Sequence, residues 1–423
     1  MAYTYPPELT ASIEKLMADT SFRKAWDFLE ADKDATFEEL KEMVVVHGAS
    51  FKEHLKRSPM YKAKLEKYGA KDCTIDELGN VLGYVYGTGE PRPKILVEGH
   101  LDTVFPEETS LTVVEKDGRF YCPGIGDDTS ALACDLSLLR AIQHAGLKPV
   151  GTLIFGGTVG EEGEGNARGI RHLMREHKDL DTVICVESHG AGHVCLQAVG
   201  IWRFEFTFKG PGGHSWRAFG IPTPLHAMGR AMAKIADMEV PENPRTTFTV
   251  GVVSGGTSIN SIAYESTMKV DMRSVDPAAL AKLGATVRAL VAQAVAEENL
   301  RWKSPETITV EEKVIGAKPA GTLPEDSITA LAAFAATEQI GIPAKAADAA
   351  STNHNIPNNM NVPSLVVGAG GTFQGIHSLE ESYTPTDAYK AAQKALLLIF
   401  LLVGLDGVTV PLAKPCLERG PVG

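Results

Sequence analysis

Three short apolar runs, Ile95-Leu96-Val97, Thr152–Phe155 and Val183–Val186, leave this chain few folds to choose from. They are apolar throughout and separated by stretches of helical periodicity, so they read as strands of a sheet covered on both faces by helices. The first run closes on Gly99-His100-Leu101-Asp102-Thr103, which puts His100 and Asp102 where a strand ends. A histidine there can bind a metal, and an aspartate two residues on can take up its second ring nitrogen, fixing tautomer and basicity. After the second run comes a glycine-rich turn with Glu161-Glu162, and the third run delivers Glu187. Asp127-Asp128 follows the tight turn Gly124-Ile125-Gly126, and His377 follows a glycine-rich loop. His-x-Asp alone is a weak signal; this constellation is a strong one.

The rest of the chain falls into three stretches. Residues 8 to about 70 carry apolar positions at helical spacing and predict two or three amphipathic helices packed outside the core. Strands are expected over Asn80–Tyr86 and Lys94–Val97, and helices over Thr129–Ala145, stopped by Gly146, and over Arg168–His177. Near Gly200 the pattern changes: Phe204, Phe206 and Phe208 alternate with polar residues, as on a strand with one wet face. Helices over Pro224–Asp237 and from Asp276 to about Glu297, with strands near Thr247–Val253, Thr267–Met272 and Thr307–Val310, complete a β-α-β-β-α-β order. That order is ferredoxin-like. Beyond Lys318-Pro319 the first pattern resumes, through a helix from about Asp326, strand Ser364–Val367, the loop with Gly370 and Gly371, and a helix from about Asp387. At 423 residues two domains are expected, with boundaries at 1–199 plus 314–423 and at 200–313.

Charge and composition exclude several classes. A net charge of −12 without a basic stretch argues against a nucleic-acid partner. The longest apolar run, Ala395–Gly404, is about half a membrane span. The six cysteines form no C-x-x-C pair and read as buried thiols of a reducing compartment. The first residues, Met-Ala-Tyr-Thr-Tyr-Pro-Pro, lack a basic-then-apolar signal. A soluble, cytoplasmic protein acting on a small molecule is expected.

Two histidines and three carboxylates can hold a pair of divalent ions if one carboxylate bridges them. Asp127 is the best bridge, His100 and Glu187 can complete one site, and Glu162 and His377 the other. Mixed nitrogen and oxygen ligation suits Zn²⁺, Mn²⁺ or Co²⁺. Such ions polarise a substrate and generate hydroxide from water near neutral pH, and Glu161 is placed to take that water's proton. The histidines outside the constellation, such as His47, His54 and His144, read as structural, and the Phe204/Phe206/Phe208 stripe as core.

Read together, GHLDTV (99–104), PGIGDD (123–128), GEEGEG (160–165), Glu187, KGPGGHS (209–215), GGTSIN (255–260), DMR (271–273) and GIHSLEE (375–381) span roughly 280 residues. The set resembles the M20 family of metallopeptidases and amidohydrolases. The resemblance implies a mixed-sheet, metallopeptidase-like α/β catalytic domain with one or two metals, and an inserted ferredoxin-like α+β lid that also dimerises. It implies Glu161 as general base, Asp102 as partner of His100, and a cis peptide between Asp127 and Asp128. His214 and Asn260 are similar to lid residues that steady a developing oxyanion, often in the partner subunit's site. Arg273 is similar to a residue that grips a substrate carboxylate, with the Gly370-Gly371 amides beside it. The chain departs from its relatives at Thr129, where lysine is common, at Ser188-His189-Gly190, where proline is common, and at Thr352-Asn353, near a frequent Thr-Asp. No ligand position is lost, which disfavours a non-catalytic binding protein on the same fold. The expected reaction is hydrolysis of a C–N bond in a small carboxylate-bearing substrate: an N-acyl amino acid or short peptide, or an aromatic amine. Chain length and the altered positions are similar to the branch containing 5-nitroanthranilate aminohydrolase.

Overall fold

The structure, a computed structural model, describes residues 3–89 and 92–422. It forms two compact units, one running to Ala198 and resuming at Thr322, the other Val199–Gly321.

The first unit opens with helices α1 (Pro7–Ala18), α2 (Thr20–Ala31), α3 (Lys33–Val44) and α4 (Glu53–Lys67). Four stand where periodicity predicts two or three, because the apolar spacing runs straight across the breaks. At the first break the Asp19 side chain accepts the Phe22 amide at 2.9 Å and caps a new helix. The sheet strands are β1 (Lys71–Ile75), β2 (Val81–Val85), β3 (Lys94–His100), β4 (Thr152–Thr158), β5 (Thr182–Glu187), β6 (Val194–Cys195) and β7 (Ser364–Gly368). Their order across the sheet is β1-β2-β4-β3-β5-β7-β6. The central four run parallel and the outer pairings are antiparallel. The unit's remaining α-helices are α5 (Thr129–Ala145), α6 (Arg168–Glu176), α7 (Ile328–Gln339), α8 (Asn355–Asn359) and α9 (Ala388–Val403).

Because strand side chains alternate, each central strand feeds two cores. Ile95, Val97, Leu153, Phe155, Ile184, Val186, Leu365 and Val367 pack with residues of α2, α5, α7 and α9. Leu96, Ile154, Val183, Cys185 and Val366 pack with residues of α6 and α8. Burial on both faces is why these runs show no polar alternation. It also leaves the carboxyl ends of β3, β4 and β5 as the place where polar groups can gather, the usual ligand position in such sheets.

The second unit is a four-stranded antiparallel sheet in the order 246–255, 265–274, 200–209, 309–318. Phe204, Phe206 and Phe208 are buried against Met268, Val270 and Met272 and against Ala227, Ala231, Val287 and Val291 of its two helices. The last strand extends to Lys318, well past the expected Val310. Its charged continuation, Glu311-Glu312-Lys313, pairs with Thr207, Phe206 and Glu205, and the Lys209–Glu311 ion pair at 2.8 Å holds the exposed side. A wet, charged stretch has no apolar pattern to announce it.

Candidate metal centre

His100 closes β3 with its side chain 2% exposed. Its Nδ1 lies 2.9 Å from the Asp102 carbonyl oxygen and 3.6 Å from the Asp102 carboxylate. The carbonyl can only accept, so Nδ1 carries a proton and Nε2 faces Asp127 Oδ1 at 2.9 Å. The expected aspartate thus meets the ring through its backbone carbonyl, with its carboxylate close enough to favour a charge on the imidazole. That carboxylate also accepts the amides of Glu161 and Glu162, both at 3.0 Å, and the Ser50 hydroxyl at 2.7 Å. Asp102 therefore fixes the turn after β4 that presents both glutamates.

Asp127 stands at the start of α5, beyond a cis peptide bond to Asp128. Its second oxygen, Oδ2, lies 3.0 Å from His377 Nε2, which is also 2.9 Å from Glu162 Oε1. The two oxygens of one carboxylate thus face two different histidines. Glu381, fully buried, shapes this turn by accepting the amides of Gly124 at 2.9 Å, Gly126 at 2.8 Å and Asp127 at 2.9 Å. Gly126 has no room for a side chain: a Cβ would sit 2.7 Å from the Phe373 ring. Glu187 ends β5 and accepts the Thr352 hydroxyl. Glu161 is 6% exposed, and its carboxylate gathers with ligand atoms of His100 and Glu162.

Three groups of possible ligand atoms result, each within 4.8 Å: His100, Asp127, Asp128 and Glu187; His100, Glu161 and Glu162; Asp127, Glu162 and His377. Burial pushes the Asp128 and Glu187 carboxyls well above the usual range, reinforced in Asp128 by Glu187 and in Glu187 by Glu161 and Asp127. Hydrogen bonds to Asp127 and Glu162 raise His377 to about 10. Burial opposes a charge on His100, but Asp128, Asp102 and Asp127 outweigh it and raise its pKa. Asp128 Oδ1 is buried with no hydrogen-bond partner among the described residues. A surplus of crowded carboxylates, an orphaned oxygen and two imidazoles form a donor set that fits divalent cations.

The other expected residues are placed differently. Gly370 and Gly371 follow β7 with φ of +86° and +82°, but the Gly370 amide already donates to the His189 carbonyl at 2.8 Å. That amide is committed to the loop after Glu187 and is not free for a carboxylate. His214, Asn260 and Arg273 belong to the second unit. His214 pairs in register with Ser261, next to Asn260, on a short two-stranded ribbon. Arg273 Nε donates to Asp271 at 2.8 Å, and Asp271 also accepts from Arg203. Sequence reasoning passed over Ser50 and gave Glu381 no role. Only the latter left a signal, the closing glutamate of the 375–381 motif.

Residues 96–401 match the model of peptidase family M20/M25/M40. The chain belongs to that family. Among curated relatives, a cysteinylglycine-S-conjugate dipeptidase of Corynebacterium striatum is 25% identical over 259 residues, 56% of this chain and 54% of that protein. The chain spans about half the length of that relative. A tripeptidase from Staphylococcus aureus subsp. aureus Mu50 superimposes with a TM-score of 0.73 at 21% identity, covering 87% of this chain and 97% of the other. A dinuclear metal-binding M20 peptidase of Bacillus subtilis gives 0.67 at 16% identity, covering 88% and 99%. At these identities the two structures share the fold.

Proposed function

We propose that this M20 protein is a metal-dependent hydrolase that cleaves a C–N bond of a small carboxylate-bearing substrate. The observation that carries the reading is Asp127, whose two carboxylate oxygens face His100 and His377 at 2.9 and 3.0 Å. One carboxylate between two imidazoles, with Glu187 on one side and Glu162 on the other, is a donor set that would hold divalent cations. The ligands in this reading are His100, Asp127, Glu162, Glu187 and His377, with Mn²⁺, Zn²⁺ or Co²⁺ as the metal. When bound, such ions polarise the electrophile and lower the pKa of water.

The chain's own groups do the rest. Glu161 takes the proton of the attacking water and returns it to the leaving nitrogen. Its backbone is fixed by Asp102, so the carboxylate is positioned before substrate arrives. Arg273 grips the substrate carboxylate through its planar fork, while His214 and Asn260 steady the charge that develops on attack. The second unit acts as lid and dimerisation domain, and the working form is a homodimer or higher homo-oligomer in the cytoplasm.

The finer reading is hydrolytic deamination of an aromatic amine such as 5-nitroanthranilate. It rests on the altered positions read in the sequence, which lie beside the candidate ligands. Thr352 bonds Glu187, His189 follows it in the same loop, and Thr129 opens the helix after Asp127-Asp128. These substitutions border the reacting groups, where substrate choice is made. Attack at a ring carbon breaks aromaticity, and a nitro group para to the amine supplies the electron sink. The deciding experiment removes metal with a chelator, restores Mn²⁺, Zn²⁺ or Co²⁺, and assays ammonia from 5-nitroanthranilate against cleavage of N-acyl amino acids and dipeptides. Loss and recovery of any C–N hydrolysis supports the class, and ammonia release supports the finer reading. Activity that survives full metal removal sinks both.

A further inference from the structure

The segment from Val46 to Arg57 precedes the region that matches the family model, which begins at residue 96. Even so, it touches three separate parts of the metal centre. The Thr103 amide donates to the Gly48 carbonyl at 2.8 Å, and Ser50 donates to the Asp102 carboxylate. Glu53, fully buried, accepts the Gly160 amide at 3.0 Å, just before Glu161-Glu162, and is held by Arg168. Arg57 reaches furthest. Its side chain is 1% exposed, with Nε donating to Val46 O at 2.8 Å, one terminal nitrogen to Leu101 O at 3.3 Å and the other to Thr129 Oγ1 at 3.1 Å. Thr129 in turn donates to Gly124 O at 2.6 Å, in the turn that delivers Asp127.

A buried guanidinium whose acceptors are all neutral is costly unless charge of the other sign lies close by. Here Asp102, Asp128 and Glu381 are near enough to favour its charge, although burial lowers its pKa to about 10. The chain has also made room for it. A Cβ at Gly48 would lie 2.5 Å from Arg57 Cδ and 2.6 Å from Leu101 O, so only glycine lets the side chain pass.

We propose that Arg57 is a positioning residue of the metal centre, a buried cation tying the strand end that carries His100 to the helix start that carries Asp127. It sits against Thr129 at the start of α5 and places a positive charge beside the Asp102, Asp128 and Glu381 carboxylates. The inference rests on the metal-dependent reading above, but its readouts require no turnover.

Metal-free protein is titrated with Mn²⁺ alone, with binding followed by calorimetry and by electron paramagnetic resonance. Amide exchange is measured in the metal-free state. Arg57→Met is expected to weaken Mn²⁺ binding by about 10- to 100-fold, the range for loss of a group that orients ligands, and to speed exchange at Leu101–Thr103. Thr129→Lys added to Arg57→Met returns a cation to the same place and is expected to recover most of the affinity. Unchanged Mn²⁺ affinity in Arg57→Met overturns the proposal. So does a double variant that regains thermal stability without regaining affinity, since that outcome makes Arg57 a packing residue. If Arg57→Met does not fold, Arg57→Lys keeps the charge and loses the fork. Binding within about tenfold of the parent then supports the proposal, and a folded Arg57→Lys protein that binds more than a hundredfold weaker overturns it. Hydrolysis has no part in these measurements, so a failed substrate screen and a failed Arg57 test are separable.

Discussion

Lys394, on α9, offers a quantitative test of how the loop after Glu187 is held. Its ammonium is completely buried and donates to the carbonyls of Ala191 at 2.6 Å and His193 at 2.8 Å. Burial depresses its pKa from 10.5 to about 7. A lysine whose pKa is lower folded than unfolded binds fewer protons in the native state between those two values, so stability rises with pH across that interval. The contribution is fully present above about 10.5, and is lost as pH falls toward 7. At ~1.4 kcal/mol for each pH unit, the whole interval is worth about 5 kcal/mol. Lys394→Met keeps the length and apolar stem while removing the titration, so its stability should lack this slope. Two buried carbonyls also lose their donor, costing about 1–3 kcal/mol each at high pH. The assay is urea denaturation of the metal-free protein and the variant at intervals from pH 6.5 to 9.5. The difference between the two curves removes the titration of groups that do not feel Lys394; His189 and His193, which its charge holds lower, shift with it near the acid end of the range. Parallel stability profiles across that range would refute the reasoning, because they would mean that the lysine titrates normally in the folded protein.

Four further outcomes are expected. Glu161→Gln should retain its metal and lose about 10²- to 10⁴-fold in kcat, read by metal analysis beside steady-state kinetics. Glu381→Gln puts a donor against one of three backbone amides, costing about 1–3 kcal/mol and lowering the melting temperature by several degrees; an unchanged melting curve would show that the turn does not depend on it. Mixing His214→Ala with Glu161→Ala chains should restore activity if His214 serves the partner's site. No recovery despite proven subunit exchange would end action in trans. Arg273→Ala should raise KM for any carboxylate substrate and leave the metal content unchanged, and an unaltered KM would remove it from substrate binding.

What the sequence determined by itself is whatever local chemistry and periodicity can encode. The central strands and helix Thr129–Ala145 were legible because burial on both faces demands unbroken apolar runs and a helix stop demands a glycine. Acids and histidines placed just beyond those runs were legible as a cluster, since parallel strands bring their carboxyl ends together whatever their order. The tertiary structure alone decided how that cluster is held. Ser50 bonds a carboxylate 52 positions away, and Glu381 accepts amides more than 250 positions before it. Such bonds leave no period and no spacing to read. Two assignments show the difference most plainly. Asp102 next to His100 is a local pair, yet the closest contact to the ring is its carbonyl, and its carboxylate also accepts the Glu161 and Glu162 amides. The Gly370 amide, open by sequence, was taken by His189 from another loop. Each buried polar group must find some partner, and which partner is within reach is settled only when the chain is packed.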